Sequence, residues 1–539
     1  MCTSSGRQDS YVRTRILVRR LHYFIGMSLR LQVPALRLGW TSSAVDTMSR
    51  RHPIARLFLL GGLAITAACA TNPVTGNREF VTISEAQEIA IGREADAQIK
   101  GEMGVYEDQQ LQQYVEEIGI AVAASSHRPD LDWQFAIVDS PVINAFALPG
   151  GYIYLTRGMM AYLSDEAELA GVLGHEIGHV TARHSVQAYS RSTGATWGLL
   201  AAQIFVPAMR TPYGAPMGLG DAAGAGLGML FLKFGRDDET QADRLGAEYA
   251  TLSGWDPRGV GDMLSTLARI ADTTDRRGTP NWLSTHPAPV NRVTDVSGTV
   301  AQLLTATDSG TLRVDRAGYL DRIEGLIYGD NPADGIVRGN EFLHPALRFA
   351  LAFPGGWEVR NSETLVVAKQ PGRENYMILR LAESSQEDLQ RIAERDMIEA
   401  GYQPEQGTTS SINGLEAYLG IYTREVDELG PLVARVAYIR AGRSVYVLGG
   451  FAPVTEFSYV ERDVDASIGS FRQLSRDEAE QIRPNRVTVS VVQDGDTWQR
   501  IAQRSGEEIV LASTLAIMNG YPVNEQPAPG DQIKIVVPG

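Results

Sequence analysis

The sequence predicts an α+β chain. Its first half is mostly helical with a small edge sheet, and a small α/β domain and a terminal strand-helix-helix-strand (βααβ) module follow. Three observations predict this. Apolar residues recur at helical spacing through much of residues 84–300, alternate at period two between 349 and 451, and close the chain with a βααβ pattern over 487–537. The chain has 539 residues, 44% of them hydrophobic, which is enough for several packed domains.

Net charge is −15, and residues 1–68 hold ten Arg against two acids, so the remainder carries about −23. An acidic body of this kind has no electrostatic reason to bind nucleic acid. Residues 1–47 are Arg-rich without sustained periodicity and read as an over-extended N-terminus. Met48 opens a better start: Arg50, Arg51 and Arg56 precede the apolar run Leu57 to Thr66, which is too short to span a bilayer stably. Residues 48–69 therefore read as a secretory signal ending at Ala67-Ala68-Cys69. The only other cysteine is Cys2, and if it is removed with the signal, no disulfide framework is expected. The position of Cys69 resembles a bacterial lipobox, with Thr66 where Leu is usual. That resemblance implies lipidation of Cys69, against plain cleavage near Ala70, and an outer-membrane destination.

Thr71 to Gly76 reads as a turn-rich tether. Ser84 with Gln87 forms a capping box opening a helix to about Lys100, and a second helix is expected over about Asp108 to Ala124. Trp133 to Val138 and Tyr152 to Leu155 alternate as strands. Next, Ser164 is the expected N-cap of a helix in which Asp165, Glu166 and Glu168 suit the positive end of the dipole. Leu169, Val172, Leu173, Ile177 and Val180 form its apolar stripe.

That helix carries His175-Glu176-Ile177-Gly178-His179. Imidazoles four residues apart fall about 40° apart on one helical face, the spacing at which two can share a metal ion. Gly171, Gly174 and Gly178 each cost a helix roughly 1 kcal/mol relative to Ala, so close approach of another backbone is expected there. A third ligand is needed. Ten residues after the first histidine stands Ser185, and the intervening glycine slot is Ala182. His184 follows His179 by five residues, about 140° around a continuing helix, and reads as a residue behind the ligands or on the surface. Further on, Glu239 and Asp243 lie one turn apart on a helical pattern: the first can ligate while the second accepts the spare N–H of a ligand histidine.

At this point the chain resembles the M48 zinc metallopeptidases, over about residues 72–300. The matching blocks are Asn144-Ala145-Phe146-Ala147 with Leu148-Pro149-Gly150-Gly151, the H-E-x-x-H at His175, Glu239-Thr240-Gln241-Ala242-Asp243, and Ser284-Thr285-His286-Pro287 followed by Arg292. The resemblance implies a zincin-type domain over 70–300 holding one Zn2+ on His175, His179 and Glu239, with Glu176 as general base. It implies an edge strand that takes an extended peptide by strand addition at Gly150, Gly151, Tyr152, Ile153 and Tyr154, with Asn144 holding the peptide backbone. His286 would stabilise an oxyanion or plug the open metal position, and Arg292 would hold the peptide or support that loop. Residues 190–233, rich in Gly, Ala, Leu and Met, form either a lid or membrane-facing hairpin, or buried helix packing.

Residues 301–340 are expected to be a helical connector. A small α/β domain over 341–478 follows, with strands at 349–359, 364–369, 377–381, 415–423, 432–440 and 444–451 and helices near 387–400 and 455–471. Its His344 has no partner in the pattern, and no repeat of ~34 residues is visible. Residues 484–539, with Asp494-Gly495-Asp496-Thr497-Trp498, Ile517-Met518-Asn519-Gly520 and Pro529-Gly530-Asp531, resemble a LysM module. Such modules bind the glycan of peptidoglycan. The expectation is a zinc endopeptidase of the bacterial envelope, periplasmic and lipid-anchored to the outer membrane through Cys69, acting on unfolded or misassembled proteins. A peptidoglycan-directed peptidase and a mostly latent, chaperone-like assembly factor are the alternatives.

Overall fold

The computed structural model describes residues 69–539 apart from 82, 192–233, 274–281, 283–285, 287–288, 362–364, 383–385, 427–429 and 507–508. The expected signal segment before Cys69 and most of the Gly/Ala-rich insertion lie outside the described residues.

The helix Glu166–Thr181, called here the motif helix, is buried along its entire length. Its three glycines explain how. A Cβ on Gly171 would lie 3.0 Å from the Val260 backbone, one on Gly174 2.9 Å from Gly246 O, and one on Gly178 3.2 Å from Ala242. Two helices, Arg236–Leu252 and Arg258–Thr273, pack against it at backbone distance. The N-cap is Asp165, which accepts from Glu168 N, rather than Ser164. A carboxylate at the cap also faces the helix dipole, which a hydroxyl cannot exploit. The capping box at Ser84 and Gln87 opens Glu85–Met103, and Asp108 caps Gln109–Ala124.

Beneath the motif helix lies a three-stranded sheet in the order Gln134–Val138, Tyr152–Thr156, Ala145–Leu148. Tyr152–Thr156 is its middle strand, parallel to the first and antiparallel to the third. This corrects the edge-strand expectation. The outer strands are Gln134–Val138 and Ala145–Leu148. The segment after Cys69 is not a loose tether either: Cys69–Thr71 pairs with Arg78–Phe80, and buried Asn72 donates to Ala182 O at the end of the motif helix.

The connector is helical only to Arg322. Ile327–Tyr328 then pairs with the first strand of the terminal module, and Ile336–Arg338 joins Glu341–His344 in the next domain. That domain is built on a seven-stranded antiparallel sheet whose long strands are Gln403–Ile412, Leu415–Val426, Gly430–Ala441 and Ser444–Pro453. The helices Leu389–Glu399 and Val454–Ser470 stand on it. The strand expected over 349–359 divides into Phe349–Ala352 and Glu358–Asn361, because Pro354-Gly355-Gly356 turns the chain between them. Gln403–Ile412 escaped the sequence reading because nearly all of it is exposed and polar. His344 does find a partner, accepting from Leu347 N.

The terminal module has the βααβ order: Asn485–Val491, Trp498–Ser505, Ala512–Met518 and Gln532–Val537. Its apolar residues are continuous with the core around the motif helix. Lys534, fully buried, donates to Leu163 O just before the motif helix. Burial pushes its amine down to about 7, and burial beside Asp165 pushes the Glu168 carboxyl up to about 8.

Candidate metal centre

The motif helix supplies His175, Glu176 and His179, and the helix Arg236–Leu252 supplies Glu239 and Asp243. His286 enters from the segment before the helix Pro289–Ala306, which carries Arg292. One donor atom from each of His175, His179, Glu239 and His286 falls within 4.8 Å of all the others, and all four residues are buried. His179 Nε2 is 3.1 Å from His175 Nε2, His175 Nε2 is 3.3 Å from His286 Nδ1, and His286 Nδ1 is 3.0 Å from Glu239 Oε1. A tetrahedral ion with nitrogen and oxygen ligands at about 2.0–2.1 Å sets neighbouring donors about 3.3 Å apart. The observed spacings fit that demand.

The surrounding groups orient the donors. His175 Nδ1 lies 2.9 Å from Asp243 Oδ1, which turns its Nε2 toward the centre. Arg292 grips Asp243 with Nε at 2.7 Å and Nη2 at 2.6 Å, places Nη1 2.7 Å from Glu239, and lies over the Trp282 ring. Trp282 in turn stacks on His286, and Phe234 stacks on His179. Glu176 Oε1 is buried without a hydrogen-bond partner, 3.7 Å from His286 Nε2. An orphaned carboxylate oxygen beside convergent donors is poised for a water molecule.

Charge follows the same plan. Burial, then the neighbouring imidazoles, hold His179 well below its ordinary value, so it is neutral and can offer a lone pair. Burial opposes charge on Glu239 and Asp243, but His286 and Arg292 outweigh it for the first, and Arg292 and His175 hold the second at about 2. Burial opposes charge on His286 too, yet Glu239 and Glu176 raise it.

Of the residues singled out by sequence, His175, Glu176, His179, Glu239, Asp243, His286 and Arg292 come together. The proposed peptide-binding residues do not all fit their role. Gly150 and Gly151 make a turn with φ of +84° and +102°, where a side chain is strained. Ile153 sits in the core, Tyr152 and Tyr154 in a second apolar cluster, and Tyr154 donates to Asp96. With neighbours on both sides, their main chain has no free ladder for a peptide. Asn144, in contrast, precedes the outer strand Ala145–Leu148, its backbone held by Thr156 and its buried Oδ1 without a partner. Cys69 is placed only by its backbone, at the start of the first hairpin.

Sequence reasoning gave Phe234, Trp282 and Gln241 no role, and of its two readings of His184, behind the ligands or on the surface, the structure bears out the first. The motif helix stops at Thr181, and Arg183 takes a left-handed φ of 59°. His184 thus starts a new helix, His184–Arg191, and its ring returns to His179, buried rather than on the surface. Burial pushes its imidazole down.

Residues 109–300 match the family model described as Peptidase family M48. Over 244 residues the chain is 31% identical to the Beta-barrel assembly-enhancing protease of Escherichia coli (strain K12), covering 44% of this chain and 49% of that protein. The Yersinia pestis protein of the same name is 33% identical over 236 residues, 43% of this chain and 47% of that one. The Mitochondrial metalloendopeptidase OMA1 of Arabidopsis thaliana is 31% identical over 191 residues, 35% and 36% of the two chains. The chain spans about half the length of the first two relatives or less. Residues 109–300 thus resemble M48 metalloendopeptidases, and the His175, His179, Glu239 and His286 group they contain could hold a metal ion.

Proposed function

We propose that this protein is a zinc-dependent endopeptidase of the bacterial cell envelope that hydrolyses peptide bonds of unfolded or misassembled proteins. The observation that carries the reading is the cluster of four buried donor atoms within 4.8 Å of one another beside the unpartnered Oε1 of Glu176. Imidazoles with one carboxylate and no thiolate suit zinc, although nickel and copper accept related donors.

His175, His179 and Glu239 would hold the ion. When bound, it supplies Lewis acidity toward a water molecule and the scissile carbonyl. Glu176 accepts the proton of the attacking water and passes it to the leaving amine. Asp243 keeps His175 in the tautomer whose Nε2 faces the centre, and Arg292 holds Asp243 and Glu239 in place while balancing their charge. An extended substrate would run beside Ala145–Leu148, an outer strand of the sheet, with Asn144 at its start.

A second, latent reading is favoured by His286. Its Nδ1 occupies the fourth donor position, and the centre is closed to solvent. In that state the enzyme rests with its vacant coordination site filled by its own chain, and substrate access requires His286 to withdraw. Substitution His286→Ala distinguishes a plug, which raises activity, from an oxyanion stabiliser, which lowers it.

Likeness to beta-barrel assembly-enhancing proteases supports the periplasm as the place of action, and the lipobox-like position of Cys69 supports a lipid anchor to the outer membrane. Among the described residues no helix is long and apolar enough to cross a membrane. The terminal βααβ module supports a peptidoglycan contact, and retention of the full chain on purified cell wall is its test. For the central reading the test is casein cleavage by wild type and Glu176→Gln, with zinc measured in both. Cleavage by the wild type alone, at equal zinc content, is the expected result; a cleaving variant refutes Glu176 as the base.

A further inference from the structure

We propose that His184 is a positioning residue for the metal centre: it fixes the tautomer and ring orientation of His179 through an imidazole-to-imidazole hydrogen bond that Gln241 completes. The inference rests on the reading of His179 as a ligand. His179 Nε2 faces His175 Nε2 at 3.1 Å and Glu239 Oε1 at 3.5 Å, so a bound ion requires its lone pair there and its proton on Nδ1. That Nδ1 lies 2.9 Å from Nδ1 of His184. His184 must therefore accept at Nδ1 and carry its own proton on Nε2, which lies 2.9 Å from Gln241 Oε1, an acceptor. One proton arrangement satisfies all three groups, and it is the arrangement that leaves His179 able to ligate.

The local fold is built to deliver this contact. The left-handed turn at Arg183 brings His184 back beside the end of the motif helix. That turn is clamped from outside: Arg183 Nε donates to buried Glu88 at 2.9 Å, and Asn72 donates to Ala182 O. Phe234 covers one face of the His179 ring with centroids 4.1 Å apart. Face and edge of the ring are thus both defined. The two ligand imidazoles are also oriented differently, His175 by the carboxylate of Asp243 and His179 by a neutral imidazole. A neutral acceptor adds no further negative charge to a centre that already contains Glu176, Glu239 and Asp243, and so leaves the bound ion more electrophilic.

The test compares wild type, His184→Ala, His184→Asn and Gln241→Ala, each checked for folding by circular dichroism. Zinc affinity is read by chelator competition, and the visible spectrum is read after Co2+ loading. An Asn oxygen stands where His184 Nδ1 stands, so it can accept the same proton. Expected is a loss of zinc affinity of about 10–100-fold in His184→Ala with an altered Co2+ spectrum, a smaller loss in Gln241→Ala, and recovery of most of the affinity in His184→Asn. Affinity within twofold of wild type in His184→Ala, or no recovery in a folded His184→Asn, overturns the proposal. If His184→Ala does not fold, the Asn and Gln241 variants decide by the same criteria. Wild type that binds no zinc sinks the metallopeptidase reading itself, and this inference with it; zinc-loaded wild type with indifferent variants sinks this inference alone.

Discussion

The metal centre and the seven-stranded sheet domain are both buried, but they are buried by different means. Around the motif helix the interior contains His175, Glu176, His179, Glu239, Asp243, His286 and Arg292, linked through shared contacts. The main core of the sheet domain is made of Phe342, Phe349, Val366, Leu379, Leu448, Phe471 and their apolar neighbours. A polar network of the first kind is satisfied as a whole or not at all, whereas an apolar core responds in proportion to the surface removed. The difference shows where chemistry resides in this molecule and where scaffolding does.

The comparison can be broken at its strongest point by Arg292→Ala. Removing the guanidinium leaves Asp243 and Glu239 buried beside each other, which should cost about 3–5 kcal/mol of stability by denaturant titration of the metal-free protein. Loss of under 1 kcal/mol would mean the network is not shared. Leu448→Ala, in the sheet core, should cost about 3 kcal/mol yet leave zinc affinity unchanged. Coupled loss of metal binding would erase the distinction between the regions.

Acid sharpens it further. Asp243 titrates from 3.8 when unfolded to about 2 when folded, so its contribution is present above pH 3.8 and is lost as pH falls toward 2. That contribution is about 2 kcal/mol, and Asp243→Asn should remove it from the pH profile of the metal-free protein. The smallest effect belongs to the seam with the terminal module. Lys534→Met exchanges a buried amine, held low by desolvation, for an apolar chain of similar length. Stability should change by about 1 kcal/mol or less, in either direction; a loss of several would show that the hydrogen bond to Leu163 O anchors the start of the motif helix.

Much of the centre was legible because its residues sit at spacings that only a helix can use. His175 with His179, and Glu239 with Asp243, are one-turn pairs, and Gly171, Gly174 and Gly178 marked the face that other backbones approach. Features set by nonlocal pairing were not. Alternation identifies Tyr152–Thr156 as a strand but cannot say whether one or two neighbours flank it. Gln403–Ile412 lacks alternation because both of its faces are largely exposed. The route by which His184 reaches His179 was not legible, because a helical wheel presumes a continuing helix and no residue between Thr181 and Arg183 announces the left-handed turn. The module boundary at 484 hid a shared core, since Ile327–Tyr328 and Lys534 join the two parts through contacts far apart in sequence.

Every functional statement depends on His175, His179 and Glu239 meeting around one ion. X-ray absorption on the purified, zinc-loaded full chain reads that directly. One zinc per chain in a four-coordinate nitrogen and oxygen shell at about 2.0–2.1 Å, with imidazole scattering from His175 and His179, is the predicted result. A chain that takes up no zinc, or a shell of oxygen atoms without imidazole, would contradict it.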